Sequence, residues 1–494
     1  MDKKTIFTLF ILGVCLLCIG CLESELATTS FEWSSCGEDG GECAKFMVPL
    51  DYENNDGTEI ELALIRFSAT GEKQGSIFMN PGGPGGSATE YVEFFAFTDF
   101  GIILREHFDL IGFDPRGVGQ SVNITCVDDP VPYFAWPIPE NDSEFNEVTE
   151  LIQEYTSKCE EENGNLLEHV GTVEVVRDLE TLREELGEGK LNYIGLSYGT
   201  KIGALYAETY PENIRAMVLD GALSPSLTPL EISLGQAKSF EKSLQEFLTS
   251  YAETATNVFN EGDPQPALNN LLDDIELNPL PTDQDRTLSR SDAEIAILMT
   301  LYSEAYWPYL EEALDQALLG DGSLLLEWTD YYFERQEDGT YGNFMDVFNA
   351  INCLDSSSLS ADEVRLEAEK SAELYPFFGP LMIYGMLFCT YWPVEPSMEP
   401  KIIDVQKAPQ IMIVGTTGDP ATPYEWAQTL TGEIDGSFLL TFNGEQHVAL
   451  GSSTCVNEMY EQYLLDPDIQ YSDTECSKDD TSEIFKKMKK PFIR

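Results

Sequence analysis

The chain has 494 residues, of which 43% are hydrophobic, enough to bury the core of one large domain or two smaller ones. Its 87 acidic and 28 basic side chains give a formal net charge of −59 at pH 7, which excludes strong attraction to nucleic acid or to an anionic membrane surface. We interpret the excess as a solvated acidic coat suited to high salt, in preference to an acidic pocket for cationic substrates.

The N-terminus has the pattern of an export signal. Two lysines precede an apolar run from about Ile6 to Ile19 that is too short to span a bilayer comfortably. Cys21 follows a glycine, as in a lipoprotein processing site, although Cys18 stands where leucine is usual. We predict an export signal over residues 1–21 and lipidation of Cys21, the alternative being an ordinary cleaved signal or a short anchor. The protein would then be extracytoplasmic and would contact a membrane only through that anchor.

Cysteine usage agrees with export. Outside the signal and Cys21, eight cysteines remain, and an even number in an exported chain predicts disulfides. They fall into successive pairs that each enclose a loop-like stretch, so we predict that neighbours pair. The predicted bonds are Cys36–Cys43, Cys126–Cys159, Cys353–Cys389 and Cys455–Cys476. These eight cysteines form no CxxC motif and the chain has only three histidines, so we expect no metal site.

In chain order, the first half alternates between strand and helix patterns. From about Thr58 to Leu219, short apolar runs alternate with turn signals and helical periodicity, which indicates a parallel sheet with crossover helices. The strand-like runs are IELALIRF (Ile60–Phe67), GSIFMN (Gly75–Asn80), FDLIGFD (Phe108–Asp114), LNYIGL (Leu191–Leu196) and AMVLDG (Ala216–Gly221).

The pattern then becomes helical, with apolar residues three and four apart, as in AILMTLYSEAYWPYLEEALDQALLG. Two more strand-like runs follow, QIMIVG (Gln410–Gly415) and SFLLTF (Ser437–Phe442). We therefore predict an α/β fold with a mostly parallel central sheet. Its core would be divided between residues 22–225 and 401–494, with a large helical cap inserted over residues 226–400.

A GxSxG motif places Ser197 between Gly195 and Gly199. The motif alone is weak, but it directly follows a strand-like run and precedes a helix-like one, which is where a nucleophile elbow lies. There the chain reverses so sharply that side chains at the two glycine positions would collide with the neighbouring strand and helix. The pattern predicts an exposed nucleophilic hydroxyl on Ser197, the alternative being an ordinary turn.

The nucleophile needs a base and an orienting acid, which follow it in the order Ser, acid, His. His447 comes directly after the last strand-like run, whereas the other two histidines precede Ser197 and have ordinary structural or surface patterns. Asp419 lies on the turn after the penultimate run and is the preferred acid. Asp220 is the alternative, because some hydrolases take the acid one strand earlier.

An acyl-transfer site also needs two preorganised N–H donors for the oxyanion. The N–H of Tyr198, directly after the nucleophile, is the first candidate. The second is expected in the glycine-rich loop NPGGPGGS after an early strand, where we favour Gly83, with Gly82 next.

Five motifs in this order carry a family resemblance: NPGGPGGS, FDPRGVGQS, GLSYGT, GDPATP and EQHVAL. Similarity extends through VPLDY near Val48, INCLD at Ile351 and CTYWP at Cys389, and so covers nearly the whole mature chain. The sequence resembles the secreted tripeptidyl aminopeptidase family, relatives of proline iminopeptidase among the α/β-hydrolases. The resemblance implies an α/β-hydrolase fold, no cofactor, and the same nucleophile, acid and base. It also implies a serine exopeptidase that removes short peptides or residues from a free N-terminus beneath a helical cap.

A carboxylate of the cap, held at a fixed distance from the nucleophile, would bind the ammonium of such a peptide substrate. By motif the candidate is Asp355, in INCLD, with Glu311 and Glu312 next. The alternative function is an esterase or acylase of small molecules, which would use the same three catalytic residues under a differently lined cap.

Overall fold

The computed structural model describes residues 32–37, 40–54 and 56–479. The predicted export signal and Cys21 lie outside these residues. Within them, no helix is both long enough and apolar enough to cross a membrane. The described residues from Trp33 onward belong to one unit, which includes both predicted parts of the core and the predicted cap.

A ten-stranded sheet lies at the centre of the structure. The strands, in chain order, are β1 (Ser34–Cys36), β2 (Gly41–Pro49), β3 (Glu59–Phe67), β4 (Ser76–Asn80), β5 (Asp109–Phe113), β6 (Leu191–Leu196), β7 (Ile214–Asp220), β8 (Leu280–Pro281), β9 (Thr287–Leu288), β10 (Met412–Thr416), β11 (Phe438–Asn443) and β12 (Thr474–Ser477). The spatial order is β1-β2-β3-β5-β4-β6-β7-β10-β11-β12, while β8 and β9 form a separate pair. Strands β1, β2, β3 and β5 pair antiparallel, and the pairs from β5 to β12 are parallel. The predicted fold class is confirmed.

Burial explains which strands could be predicted from the sequence. Strands β4, β5, β6 and β10 are buried along their whole length, because helices cover both faces of a parallel sheet, and such strands are continuous apolar runs. All seven predicted runs coincide with strands to within two residues. The strands that were not predicted include β1, β2 and β12, which lie toward the two edges of the sheet and are partly exposed.

Helices flank the sheet and fill the segment between β7 and β10. They are α1 (Ala88–Phe95), α2 (Asp99–Arg105), α3 (Val131–Phe134), α4 (Asp142–Asn163), α5 (Thr172–Glu185), α6 (Gly199–Thr209), α7 (Pro229–Thr254), α8 (Pro264–Leu277), α9 (Arg290–Thr300), α10 (Trp307–Leu318), α11 (Ser323–Tyr332), α12 (Phe344–Asp355), α13 (Ala361–Leu374), α14 (Phe378–Tyr384), α15 (Leu387–Thr390), α16 (Tyr424–Glu433) and α17 (Thr454–Leu465). Helices α7 to α15 form what we call the insertion. It has a hydrophobic cluster of its own, to which Phe240, Leu271 and Ile297 belong.

A second segment packs against the insertion. Helices α3 and α4, which follow β5, form an excursion that the sequence suggested only as a crossover. The Phe134 ring stacks on Phe388 of α15 with centroids 4.7 Å apart. Asp346 of α12 accepts hydrogen bonds from Cys126 N–H and Tyr155 O–H, each at 2.7 Å. The insertion is therefore held against a separate stretch of chain by a ring stack and by buried hydrogen bonds.

The eight remaining cysteines are joined in the four predicted neighbour pairs. The bonds are Cys36–Cys43, Cys126–Cys159, Cys353–Cys389 and Cys455–Cys476. The second connects the start of the excursion to α4, and the third connects α12 to α15 within the insertion. Each bond closes a loop in the unfolded chain and so lowers its conformational entropy.

Candidate active site

Ser197 lies at a sharp turn between β6 and α6. Its φ of +53° is in the left-handed region, which a non-glycine residue adopts at a cost. A Cβ atom on Gly195 would lie 2.4 Å from the carbonyl oxygen of Gly199, and one on Gly199 would lie 2.7 Å from that of Asn80. Both contacts are with backbone, which has little room to move. The glycines are thus required by the turn, as the sequence predicted.

His447 and Asp419 meet at the carboxyl ends of the neighbouring strands. The imidazole Nδ1 is 2.9 Å from Asp419 Oδ1 and 3.0 Å from Oδ2. The backbone N–H of His447 donates to the carbonyl of Tyr302 at 2.7 Å, and the Tyr302 ring packs edge-on against the imidazole. This arrangement directs Nδ1–H toward the carboxylate, which leaves Nε2 to act as a base.

The Asp419 carboxylate is 3% exposed, yet it is fully hydrogen-bonded. It accepts the backbone N–H groups of Ala421 at 2.9 Å, Thr422 at 2.7 Å and Val448 at 3.1 Å. The Thr422 hydroxyl adds a further hydrogen bond at 2.9 Å. Backbone donors of this kind fix a carboxylate in place and stabilise its charge without side-chain flexibility.

The negative charge of Asp419 affects the pKa of the His447 imidazole. Burial disfavours the protonated ring, but the Coulombic attraction and hydrogen bond of Asp419 outweigh burial and raise the pKa of His447 above its ordinary value. The negative charge of Asp220 acts in the same direction. The site therefore stabilises the imidazolium that forms when a base accepts a proton.

Asp220, the alternative acid, has other partners. Its carboxylate accepts the N–H groups of Ala449 and Leu450 and the hydroxyl of Tyr460, the last at 2.6 Å. It is fully buried, and burial raises its pKa despite these hydrogen bonds. Asp220 thus holds the backbone that follows His447, whereas Asp419 bonds to the imidazole itself.

The glycine-rich loop after β4 packs directly on the elbow. Gly82 has a φ of +96°, and a Cβ there would lie 2.5 Å from the carbonyl oxygen of Leu196 and 2.9 Å from Ser197 Cβ. The Gly82 N–H donates to Asn80 Oδ1 at 3.0 Å. Gly83, with a φ of +109°, lines the cavity beside Ser197. The geometry favours Gly83 over Gly82 as the second donor beside Tyr198 N–H.

A cavity of about 1250 Å³ contains both Ser197 and His447 in its lining, so the two side chains face the same space. Aromatic side chains of the insertion make up much of the remaining wall. They are Phe240, Tyr302, Tyr331, Tyr332, Tyr341, Phe344 and Phe348. Neither His107 nor His169 is among the lining residues. The volume accommodates a short peptide or a ligand of similar size.

The substrate-binding carboxylates expected from the sequence do not line this cavity. Asp355 is 2% exposed and is already paired with Lys201 and Thr172, so the expectation that it binds a substrate ammonium is corrected. Glu311 and Glu312 lie on α10 and are also absent from the lining. With 87 acidic residues in the chain, a motif alone does not identify which carboxylates face the cavity.

Six other acidic residues do line it, and two of them, Glu90 at the start of α1 and Glu334 after α11, have raised pKa values. Burial, followed by the negative charge of Glu90, raises the pKa of Glu334 to about 7, and a hydrogen bond from the Phe344 N–H partly offsets this. The pKa of Glu90 is also raised, by burial and by nearby acidic groups. Glu334 has a φ of +54°, and its carboxylate occupies the space beside Gly342. Sequence reasoning missed this pair, because nothing local distinguishes either residue from the acidic surface.

No cluster of three or more metal-ligating side chains occurs in the part of the chain that the structure describes. The sheet topology, the elbow and the imidazole with its carboxylate define a serine hydrolase of the α/β-hydrolase class.

Comparisons with known proteins identify the family. The TAP-like protein family matches residues 375–476. Over 477 residues the chain is 36% identical to the serine protease Hip1 of Mycobacterium tuberculosis, covering 90% of each chain. It is 33% identical over 469 residues to carboxylesterase B of the same species, covering 90% of this chain and 89% of that one. It is 28% identical over 478 residues to the tripeptidyl aminopeptidase of Streptomyces coelicolor, covering 92% and 87%. The chain belongs to the tripeptidyl aminopeptidase family of α/β-hydrolase serine peptidases.

Proposed function

We propose that this protein is a serine exopeptidase that releases short peptides or single residues from the free N-termini of peptides through an acyl-enzyme. The observation that carries the proposal is a single cavity lined by both Ser197 with His447 and the carboxylates Glu90 and Glu334. The first pair is suited to cleave an acyl bond, and the second to bind a cationic N-terminus. Relatives named as a serine protease and a tripeptidyl aminopeptidase support the same reading.

The proposed reaction begins at Ser197. His447 Nε2 takes the proton of the Ser197 hydroxyl as the oxygen attacks the scissile carbonyl, and Asp419 stabilises the imidazolium. The N–H groups of Tyr198 and Gly83 bind the oxyanion. The imidazolium then protonates the leaving amine, and the acyl-enzyme is hydrolysed by a water that His447 deprotonates.

Recognition of the N-terminus is assigned to Glu334, with Glu90 beside it. A carboxylate in a partly dry cavity binds an ammonium more strongly than one in bulk water, because its interaction is less screened. The distance from this carboxylate to Ser197 would set how many residues are removed. An esterase or acylase of small molecules is the second candidate, and the relative named carboxylesterase B favours it.

Hydrolysis of a substrate panel tests the proposal. Fluorogenic amides of one, two and three residues, with free or acetylated N-termini, are compared with a simple acyl ester in high salt. We expect amide cleavage that acetylation abolishes and that Ser197→Ala reduces by about 10⁶-fold in kcat. Ester cleavage without amide cleavage, or equal activity on acetylated amides, would support the esterase instead. Activity retained by Ser197→Ala would refute both.

We also propose that the protein works outside the cytoplasm, held at a membrane by lipid on Cys21. Its four disulfides support the compartment, since such bonds persist mainly in oxidising environments. Expression of the wild type and of Cys21→Ser in a host that processes lipoproteins tests the anchor. The wild type should partition into the membrane fraction and detergent phase, whereas Cys21→Ser should not acquire lipid.

A further inference from the structure

The carboxylate of Asp355 joins the insertion to the turn that carries the nucleophile. Asp355 is the last residue of α12, and the Cys353–Cys389 disulfide ties the same end of that helix to α15. Its Oδ1 accepts the backbone N–H of Thr172 at 2.8 Å, and its Oδ2 accepts the Thr172 hydroxyl. Lys201 Nζ also donates to Oδ2, at 2.8 Å. Both oxygens of the buried carboxylate therefore already accept hydrogen bonds from within the protein.

Thr172 and Lys201, the partners of Asp355, connect it to the elbow. The Thr172 hydroxyl is 2.5 Å from the hydroxyl of Tyr198, the residue that follows Ser197. A carboxylate only accepts hydrogen bonds, so the Thr172 hydrogen is directed to Asp355 and Tyr198 donates to Thr172. The result is a chain of two hydroxyls that ends on a carboxylate, in which each bond polarises the next.

Burial keeps the two hydroxyl groups in one hydrogen-bonding arrangement. Tyr198 is 4% exposed and Thr172 is fully buried. Burial, and then the charge of Asp355, raises the pKa of the Tyr198 hydroxyl well above its ordinary value, so the group remains a donor. Lys201 lies in the first turn of α6, and its backbone N–H donates to the Tyr198 carbonyl at 2.9 Å. Asp355 is thus connected to the elbow at two places, through Thr172 to the Tyr198 side chain and directly to Lys201.

We propose that Asp355 is a positioning residue for the acyl-transfer step, which holds Tyr198 so that its backbone N–H points to the oxyanion. The inference rests on the proposed function, because it assumes that Tyr198 N–H binds the oxyanion formed by attack of Ser197. It replaces the substrate-binding role expected for Asp355 from its sequence motif. A group that acts on the oxyanion affects the transition state and leaves ground-state binding unchanged, so its loss should lower kcat with little effect on KM.

Steady-state kinetics of Asp355→Asn and Tyr198→Phe test the inference, on a free-amine amide and on a simple ester. Asparagine presents an N–H₂ group where Thr172 and Lys201 donate, so the hydroxyl chain is broken at its acceptor. We expect Asp355→Asn to lower kcat by about tenfold to a hundredfold on both substrates, below the loss of a whole oxyanion donor, with KM unchanged within about twofold. Tyr198→Phe should lower kcat by about tenfold, and the double variant should lose little more than Asp355→Asn alone, because both act through one path.

Asp346→Asn is the matched control. Asp346 is a second buried aspartate of α12, but it bonds to the excursion and not to the elbow. It should lower the melting temperature as Asp355→Asn does while leaving kcat unchanged. If Asp355→Asn does not fold, Thr172→Val breaks the same chain with a residue of similar shape and should give the same kcat loss.

The outcomes separate this inference from the proposed function. An unchanged kcat in Asp355→Asn or Thr172→Val would overturn it, as would losses that multiply in the double variant. A rise in KM confined to the free-amine substrate would restore the substrate-binding role and overturn it equally. Activity that survives Ser197→Ala would instead overturn the proposed function.

Discussion

The carboxylates on the two sides of the cavity differ in how many hydrogen bonds they accept. Behind the wall formed by the strand ends, where His447 lines the cavity, Asp419 receives three backbone N–H groups, a hydroxyl and an imidazole. On the wall that includes the insertion, Glu334 receives one backbone N–H and lies near the like-charged Glu90. Burial, together with the negative charge of Glu90, raises the pKa of Glu334 to about 7.

The difference suggests that the first wall serves catalysis and the second serves substrate binding. The first wall is preorganised, since its acid is fixed by the backbone and needs no substrate to complete it. The second wall holds a carboxylate whose protonation state changes near neutral pH, so a bound cation or a change of pH alters its charge. We expect mutations on the first wall to change kcat, and those on the second to change KM and its pH dependence.

The largest effect should come from replacing the acid of the first wall. Asp419→Asn preserves shape but presents an N–H₂ group to the imidazole and to the backbone donors, and selects the wrong tautomer of His447. We expect kcat to fall by about 10⁴-fold with KM nearly unchanged, measured by steady-state kinetics on the best amide substrate. Asp220→Asn, checked for folding by circular dichroism, should lose at least tenfold less kcat. A larger loss in Asp220→Asn would make Asp220 the catalytic acid.

The second effect concerns the glycine loop of the same wall. Gly82→Ala places a methyl group against the backbone of the elbow at a φ that alanine adopts with strain. Displacement of the neighbouring Gly83 N–H should lower kcat by about 10²-fold to 10³-fold, the effect of losing one oxyanion donor. In Gly432→Ala, on α16, the added methyl meets no atom within 4 Å beyond the adjacent backbone of its own helix, and activity should be unchanged. A fully active Gly82→Ala would exclude this loop from the oxyanion site.

The third effect probes the second wall. Glu334→Gln removes the charge but keeps the size, so KM for a free-amine amide should rise about tenfold while KM for an acyl ester is unchanged, because a hydrogen bond to a charged group contributes about 1.5–3 kcal/mol. Because the Glu334 carboxyl ionises near pH 7, the KM of the wild-type enzyme for the free-amine amide should fall as pH rises from about 6 toward 8. Near pH 8 the substrate ammonium itself begins to deprotonate. That fall should vanish in Glu334→Gln.

Glu337→Gln is the control, since this exposed carboxylate also lines the cavity. It should leave both KM and its pH dependence as in the wild type. Equal effects of the two substitutions would mean that the cavity attracts cations through its overall charge and not through Glu334.

The smallest effect concerns a carboxyl pair where the insertion meets the loop of His447. Burial and the neighbouring Glu246 of α7 raise the pKa of Glu445 to about 7, while Lys242 and Lys478 act in the opposite direction. One buried oxygen of each carboxyl has no hydrogen-bond donor, which fits a proton shared between them.

The folded state therefore binds a proton at this pair that the unfolded chain releases above about pH 4.5. This contribution to stability is present at low pH, is lost as pH rises through about 7, and is constant above it. Melting temperatures across this range should decline less steeply in Glu445→Gln than in the wild type. An identical slope would show that the pair does not share a proton. The exposed Glu425→Gln on α16 is the control and should change nothing.

Much of the site was predictable because its signals are local. The strand, turn and helix around Ser197 are adjacent in sequence, and the steric demand for Gly195 and Gly199 acts over two residues. His447 could be predicted because it is the only histidine after Ser197. For Asp419 the position after a strand decided the prediction, and the structure brings it within 2.9 Å of the imidazole.

The carboxylates show where such reasoning stops. Asp355 was expected at the substrate because of its motif, but it is buried against Thr172 and Lys201, which lie more than 150 residues earlier in the chain. Glu334 and Glu90 face one cavity from segments far apart in sequence. No local pattern distinguishes them from the many acidic residues of the solvated coat.

The amino-acid sequence by itself determined the parallel sheet, the order of nucleophile, acid and base, and the neighbour pairing of cysteines, because apolar runs, glycine turns and loop closures act over short stretches of chain. Only the tertiary structure decided which acidic side chains line the cavity and which are buried as structural anchors. The physical reason is that burial and the approach of like charges depend on how α1, α12 and the segment after α11 pack together, and these contacts join distant parts of the chain.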